Sequence, residues 1–129
     1  MIVLDTHAWL WWIAEPRRLS APARHAIDEA ERLGVSTLSA WEVAMLVRRG
    51  RISLDRDVAT WIRQALGHAR VTPLPPSAEV AIAAGLLDGE GFPGDPADRL
   101  IYATARAERA RLVTRDRAIH GFDGRTAVW

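Results

Sequence analysis

Two rhythms of apolar residues alternate along the chain. Ile2, Val3 and Leu4, with Met1 before them, form an unbroken apolar run that stops at Asp5. A run with no polar alternation predicts a strand buried on both faces, in the middle of a parallel sheet. Residues 7–14 (HAWLWWIA) then read as a helix apolar nearly all round, covered on more than one face. Glu15 and Pro16 end it. Its tryptophans, Trp9, Trp11 and Trp12, are expected in the core, with any exposed remainder serving a dimer or partner surface.

Further on, Ser20 caps a second helix over 21–33, with Ala26, Ile27, Ala30 and Leu33 on one face and Gly34 just past its end. Val35 to Thr37 reads as a short strand, and Ser39 as the cap of a helix over 40–49 that closes at Gly50. Asp55 or Asp57 starts a helix through Leu66. Residues 71–75 suit an edge strand, because Pro73 and Pro75 remove donors. Ser77 with Glu79 opens a helix to Leu87, and 88–94 (DGEGFPG) is loop-like. Asp95 and Pro96 form a cap and first helical residue, with the helix running to about Ala110. Leu112 to Thr114 reads as a strand, 115–121 as a turn and 126–129 as a last strand. At least three strand and helix alternations predict a three-layer α/β/α sandwich around a central parallel sheet, in one domain over 1–129.

Composition narrows the chemistry. The 129 residues are 49% hydrophobic and 26% charged, ordinary globular values. No cysteine is present, which removes disulfides and thiolate metal sites and fits a reducing compartment. No basic leader precedes the first apolar run, and 8–14 is too short to cross a bilayer. A cytoplasmic protein is expected. Net charge is +1, yet all 17 basic residues are arginine. Either a GC-rich coding bias or a need for guanidinium forks that grip phosphate accounts for this.

On this reading four acids share the carboxyl-end side of the sheet. Asp5 ends the first strand, Glu42 lies in the first turn after the second, Asp98 in the first turn opened by Asp95, and Asp116 two residues past Thr114. Ligands bind outside those ends in open α/β sheets, and neighbouring strands are ~4.8 Å apart. Three of the acids have an ordinary explanation, whereas Asp5 is harder to dismiss, because a strand core gains nothing from an acid. Ser39 to Glu42 fits a capping box, Asp98 suits a helix dipole, and Asp116 suits a turn. Together they are costly, because like charges at 4 Å repel by about 1 kcal/mol in bulk water and more inside a protein. A hard divalent cation resolves the repulsion, and all-oxygen donors favour Mg2+ or Mn2+ over zinc. Metal-assisted phosphodiester hydrolysis is the chemistry such a site supports.

Other sites are poorly supported. His7, His25, His68 and His120 lack the i, i+4 pairing of zinc proteases, and no serine sits in a G-x-S-x-G elbow. A phosphate loop needs Gly-Lys-Ser/Thr, which a lysine-free chain cannot form. The same lack removes a receiver domain, and His7 stands where a dehalogenase-like phosphatase needs its second aspartate.

The blocks IVLDTHAWLWWI, LSAWEVAMLVRRGRI, DPADRLIYATA and LVTRDRAI, in that order, resemble the PIN-domain ribonucleases, specifically VapC-type toxins of toxin-antitoxin pairs. The resemblance spans nearly the whole chain. It implies an Mg2+- or Mn2+-dependent endoribonuclease acting on cellular RNA, a VapB-type antitoxin as partner, and a homodimer. Carried onto this chain, it implies an acidic quartet of Asp5, Glu42, Asp98 and Asp116. Asp95 would be an accessory acid, Thr6 and Thr114 hydroxyls that orient carboxylates or water, and Arg99 a phosphate contact or partner of the acids. Arg48, Arg49, Arg51, Arg115 and Arg117 are candidates for gripping RNA or a solvated surface. The first helix and the helix around Trp41 and Met45 are candidate contact surfaces. An inactive PIN-like module that binds RNA or protein without cutting is the alternative.

Overall fold

Five strands, Ile2–Leu4 (β1), Leu33–Ser36 (β2), Val71–Leu74 (β3), Leu112–Val113 (β4) and Ala127–Val128 (β5), form one all-parallel sheet in the order β3-β2-β1-β4-β5. They come from a computed structural model that describes residues 1–129. The apolar run of β1 occupies the centre, as its lack of alternation requires, and the proline-bearing β3 lies at an edge.

Alternate β1 side chains face two different cores. Ile2 and Leu4 join Leu33, Val35 and Val71 against helices Thr6–Ala14 (α1), Ala21–Glu29 (α2), Thr37–Arg48 (α3) and Val58–Leu66 (α4). Val3, Leu112 and Ala127 pack on the other face against Ile101, Tyr102 and Ala105 of Pro96–Ala107 (α6) and Ile119 of Arg117–Phe122 (α7). Ala78–Leu86 (α5) leans on α6 through Val80, Ala84 and Ala103. Helices therefore cover both faces, giving the three-layer sandwich. Trp9 is fully buried, Trp11 is 7% exposed and Trp12 is half-buried, so α1 spends most of its aromatic surface on the core.

Several element boundaries differ from those the pattern predicts. The second helix stops at Glu29 instead of Leu33. Arg70 donates to the carbonyls of Ile27 and Ala30, satisfying the helix end, and Leu33 is taken into the sheet between Ile2 and Val71. Gly34 is accordingly a strand residue and not a helix stop. A Cβ there would lie 2.7 Å from Leu74 Cδ1 and 3.0 Å from Met1 Sδ, so a larger residue would have to push those side-chain ends aside.

The third helix begins three residues earlier than expected. Ser36, at the end of the β2–β3 register, is its cap and accepts from the Leu38 amide at 3.2 Å. Ser39 is consequently a buried residue of the first turn, and Glu42 sits a turn deeper than a capping box would place it. The predicted turn over 115–121 is mostly helix. Asp116 caps α7, accepting from Ala118 and Ile119, and Ile119 supplies the buried contact that holds it.

Candidate active site

The order in which strands are laid down reverses between β1 and β4. After β1 the chain winds towards β2, and after β4 it winds to β5 on the opposite side. The crevice outside the carboxyl ends at such a switch point is where open α/β sheets bind ligands. Asp5 follows β1 there, its amide donating to Val113 O at 3.0 Å, and Thr114 and Asp116 follow β4.

Three of the acids are also helix caps. Asp5 accepts from the Ala8 amide at 2.8 Å, Asp95 from Asp98 at 2.9 Å, and Asp116 from Ala118 at 2.8 Å. Capping fixes one oxygen of each carboxylate near the positive end of its helix. Glu42 reaches in from α3 and accepts from the Thr6 hydroxyl at 2.5 Å. Since that proton is spent on Glu42, the 2.9 Å contact between Thr6 and buried Ser39 has Ser39 as donor. Ser39, read from sequence as a helix cap, is instead the first link of a relay from Ser39 through Thr6 to Glu42. Thr114 is fully buried and its hydroxyl accepts from the Asp116 amide at 3.1 Å.

Asp5, Thr6, Glu42, Asp95, Asp98 and Asp116 all line one cleft of ≈ 1000 Å³. Arg51 and Arg115 line it too; Arg48, Arg49 and Arg117 do not. Arg99 is turned away from the acids. It donates to the Gly94 carbonyl at 2.9 Å and pairs with Asp88, pinning the 88–94 loop. Sequence reasoning had no reason to single out Gly94, whose position is as constrained as any acid's. A Cβ there would fall 2.7 Å from Asp98 Cβ and 3.3 Å from its Oδ2, so glycine lets the loop close over that side chain.

The acids feel one another. Burial pushes the Asp98 carboxyl up to about 7, and Asp95, Asp116 and Glu42 add to the rise against one opposing backbone hydrogen bond. Asp5 is raised by burial and by Asp116, while the Thr114 hydroxyl, the Ala8 amide and His7 pull it down. Glu42 is raised by burial, with Asp95 and Asp5 adding and Thr6 and His7 opposing. No three His, Asp or Glu side chains stand close enough to make a ready-formed ion-binding group. The donors nonetheless fit a hard divalent cation in type and charge: all are oxygen, and repulsion among them is what a cation offsets. Glu42 and Asp116 each accept hydrogen bonds through a single oxygen, leaving the other available.

A family model for the PIN domain matches residues 2–124. The chain is 45% identical over 130 residues to Ribonuclease VapC22 of Mycobacterium tuberculosis (strain ATCC 25618 / H37Rv), covering 99% of this chain and 98% of that protein. Among solved structures, a toxin-antitoxin complex from Klebsiella pneumoniae matches with a TM-score of 0.72 at 18% identity, over 100% of this chain and 97% of that one. DNA-bound VapBC from Salmonella typhimurium matches at 0.70 and 20%, over 98% and 97%. VapBC2 from Rickettsia felis, bound to a DNA fragment from their promoter, matches at 0.69 and 18%, over 98% and 97%. At such identities these structures speak for the fold.

Proposed function

The chain belongs to the PIN-domain family, and from that membership we propose that it is an Mg2+- or Mn2+-dependent endoribonuclease, the toxin of a VapBC-type pair, acting as a single domain over residues 1–129. One observation carries the reading: acids from four separate segments, Asp5, Glu42, Asp95 with Asp98, and Asp116, line one cleft at the switch point and raise one another's proton affinity. A binding-only module gains nothing from that repulsion.

In this reading Asp5, Glu42, Asp98 and Asp116 hold the cation, and Asp95 adds charge from the rim. When bound, the cation supplies Lewis acidity, making water nucleophilic at neutral pH and offsetting charge on the phosphate. The protein's part is to hold the ligands in place. Helix caps fix Asp5 and Asp116 by one oxygen, the relay from Ser39 fixes Glu42, and Asp98, with a pKa of about 7, is the acid whose ionisation the cation must secure. Arg51 and Arg115 face the cleft where the RNA backbone would lie.

A VapB-type antitoxin and a second copy of the chain are the proposed protein partners. Candidate surfaces are Trp41 on α3, 56% exposed, and the neighbouring pair Ile82 and Leu86 on α5, 64% and 66% exposed. No helix is long and apolar enough to cross a membrane.

The deciding experiment follows single-stranded RNA on a denaturing gel with Mn2+ or with chelator, beside thermal unfolding. Cleavage is expected only with metal, accompanied by stabilisation of about 2.7 kcal/mol at 100 times the dissociation constant. Intact RNA together with an unmoved unfolding temperature at millimolar Mn2+ rules the enzyme out.

A further inference from the structure

Beyond the acids, the cleft continues along one stripe of α1. His7, Trp11 and Ala14 lie at helical spacing down that stripe, Arg18 follows on the short 3-10 turn Pro16–Arg18, and Arg51 to Leu54 also line the cleft. At ≈ 1000 Å³ the cleft is the size of a site for an organic ligand, far more than an ion requires. Its lining also changes along its length: carboxylates cluster at the switch point, the His7 imidazole stands beside them, and the Trp11 indole and Arg18 guanidinium, with Glu15, lie farther along.

Trp11 is the support of this second end. It is 7% exposed and braced by Trp129, whose ring centroid is 5.7 Å away. On it rest two exposed groups: the His7 ring, 5.5 Å off and tilted by 51°, and the Arg18 guanidinium, 4.6 Å above the indole centroid. Arg18 is only weakly engaged elsewhere, 3.9 Å from Glu15 with both side chains about half exposed. A phosphate can displace such a pair. His7 is two residues from Asp5, so whatever lies on its ring lies beside the acids.

We propose that this stripe is a nucleotide subsite, in which His7 stacks a base of single-stranded RNA next to the phosphate held at the acids, and Arg18 with Arg51 grips the neighbouring phosphate. The proposal rests on the ribonuclease reading for its substrate class. Unpaired bases stack on histidine and aromatic rings, whereas bases inside a duplex are not available to do so. Guanidinium forks match phosphate oxygens. Trp11 acts as a positioning residue that keeps both groups oriented.

Fluorescence anisotropy of a labelled single-stranded RNA, in Mg2+ with the Asp98→Asn protein to prevent turnover, tests the subsite. Adding His7→Ala is expected to raise Kd by about tenfold or more, and His7→Phe to restore it to within about twofold. An abasic nucleotide at the stacked position should weaken binding to the His7 protein and leave the His7→Ala protein unaffected. Because His7 is exposed, thermal unfolding should not change. Equal Kd values for His7 and His7→Ala, or no binding by either, overturn the subsite. The enzymatic reading fails separately: RNA bound in a His7-dependent way but never cut by the wild type with Mn2+ leaves the subsite standing and removes the nuclease.

Discussion

Two half-buried aspartates in this molecule have opposite fates. Asp98, at the cleft, is surrounded by Asp95, Asp116 and Glu42 and is pushed up to about 7. Asp123, just past the end of α7, is also penalised by burial, yet its pKa is lowered. The difference lies in the donors. Asp123 accepts from the Thr126 hydroxyl at 2.7 Å, the Tyr102 hydroxyl at 2.8 Å and the Thr126 amide at 3.2 Å, with Arg106 3.6 Å away. Burial and this carboxylate push the Tyr102 phenol up to about 12. A carboxylate that serves structure is satisfied within the chain; one among other carboxylates has a deficit that something from outside must fill.

Replacing each acid should therefore break different things. Asp98→Asn is expected to lower RNA cleavage by about two to three orders of magnitude or more, measured as initial rates in Mn2+, with the metal-free unfolding temperature unchanged or raised. Asp5→Asn should behave alike, because asparagine still caps α1. Asp123→Ala should do the reverse. Losing its charged hydrogen bonds costs about 3 kcal/mol in a denaturant titration, while cleavage per folded molecule is preserved.

The pH dependence sharpens the contrast. Folded Asp98 holds its proton up to about 7, whereas the unfolded side chain releases it near 3.8. Between those values the folded state binds more protons, so metal-free stability falls as pH rises from about 4 to 7, by on the order of 1 kcal/mol after screening by the open cleft. Asp123 has the opposite sign. Its lowered pKa stabilises above the unfolded value and is lost as acid is added. Unfolding curves of wild type and Asp98→Asn across this range should converge at low pH and separate towards neutrality; parallel curves would exclude the shift at Asp98.

The smallest effect belongs to the relay. Ser39→Ala removes the donor to Thr6 and should reduce cleavage several-fold at a stability cost of about 1 kcal/mol, with Ser39→Thr recovering part of the rate. Equal rates for wild type and Ser39→Ala would show that Thr6 orients Glu42 unaided.

What could be read from the chain, and what could not, follows from how far each signal reaches. The β1 run, the caps at Ser20, Ser77 and Asp95, a cap at Asp55 or Asp57 that falls to Asp57, and the edge character of β3 rest on neighbouring residues, and all are found in the structure. Signals with two local solutions were misread. Ser36 and Ser39 both suit a cap, and the choice fell to the β2–β3 register and to Thr6, thirty-three residues away. Gly34 looks like a helix stop unless Leu74 is known to press against it. Arg99, placed among the acids by sequence proximity, is held instead by Asp88 and Gly94.

Strands alternating with helices, and acids standing at the strands' carboxyl ends, are written locally in the chain, because hydrophobic period and capping chemistry act over a few residues. Tertiary structure alone decided which acids share a cleft, which aspartate is satisfied internally, and that His7 and Arg18 meet over Trp11. Those outcomes depend on strand order and side-chain contact between distant segments, and electrostatic repulsion or stacking exists only once the segments are ångströms apart.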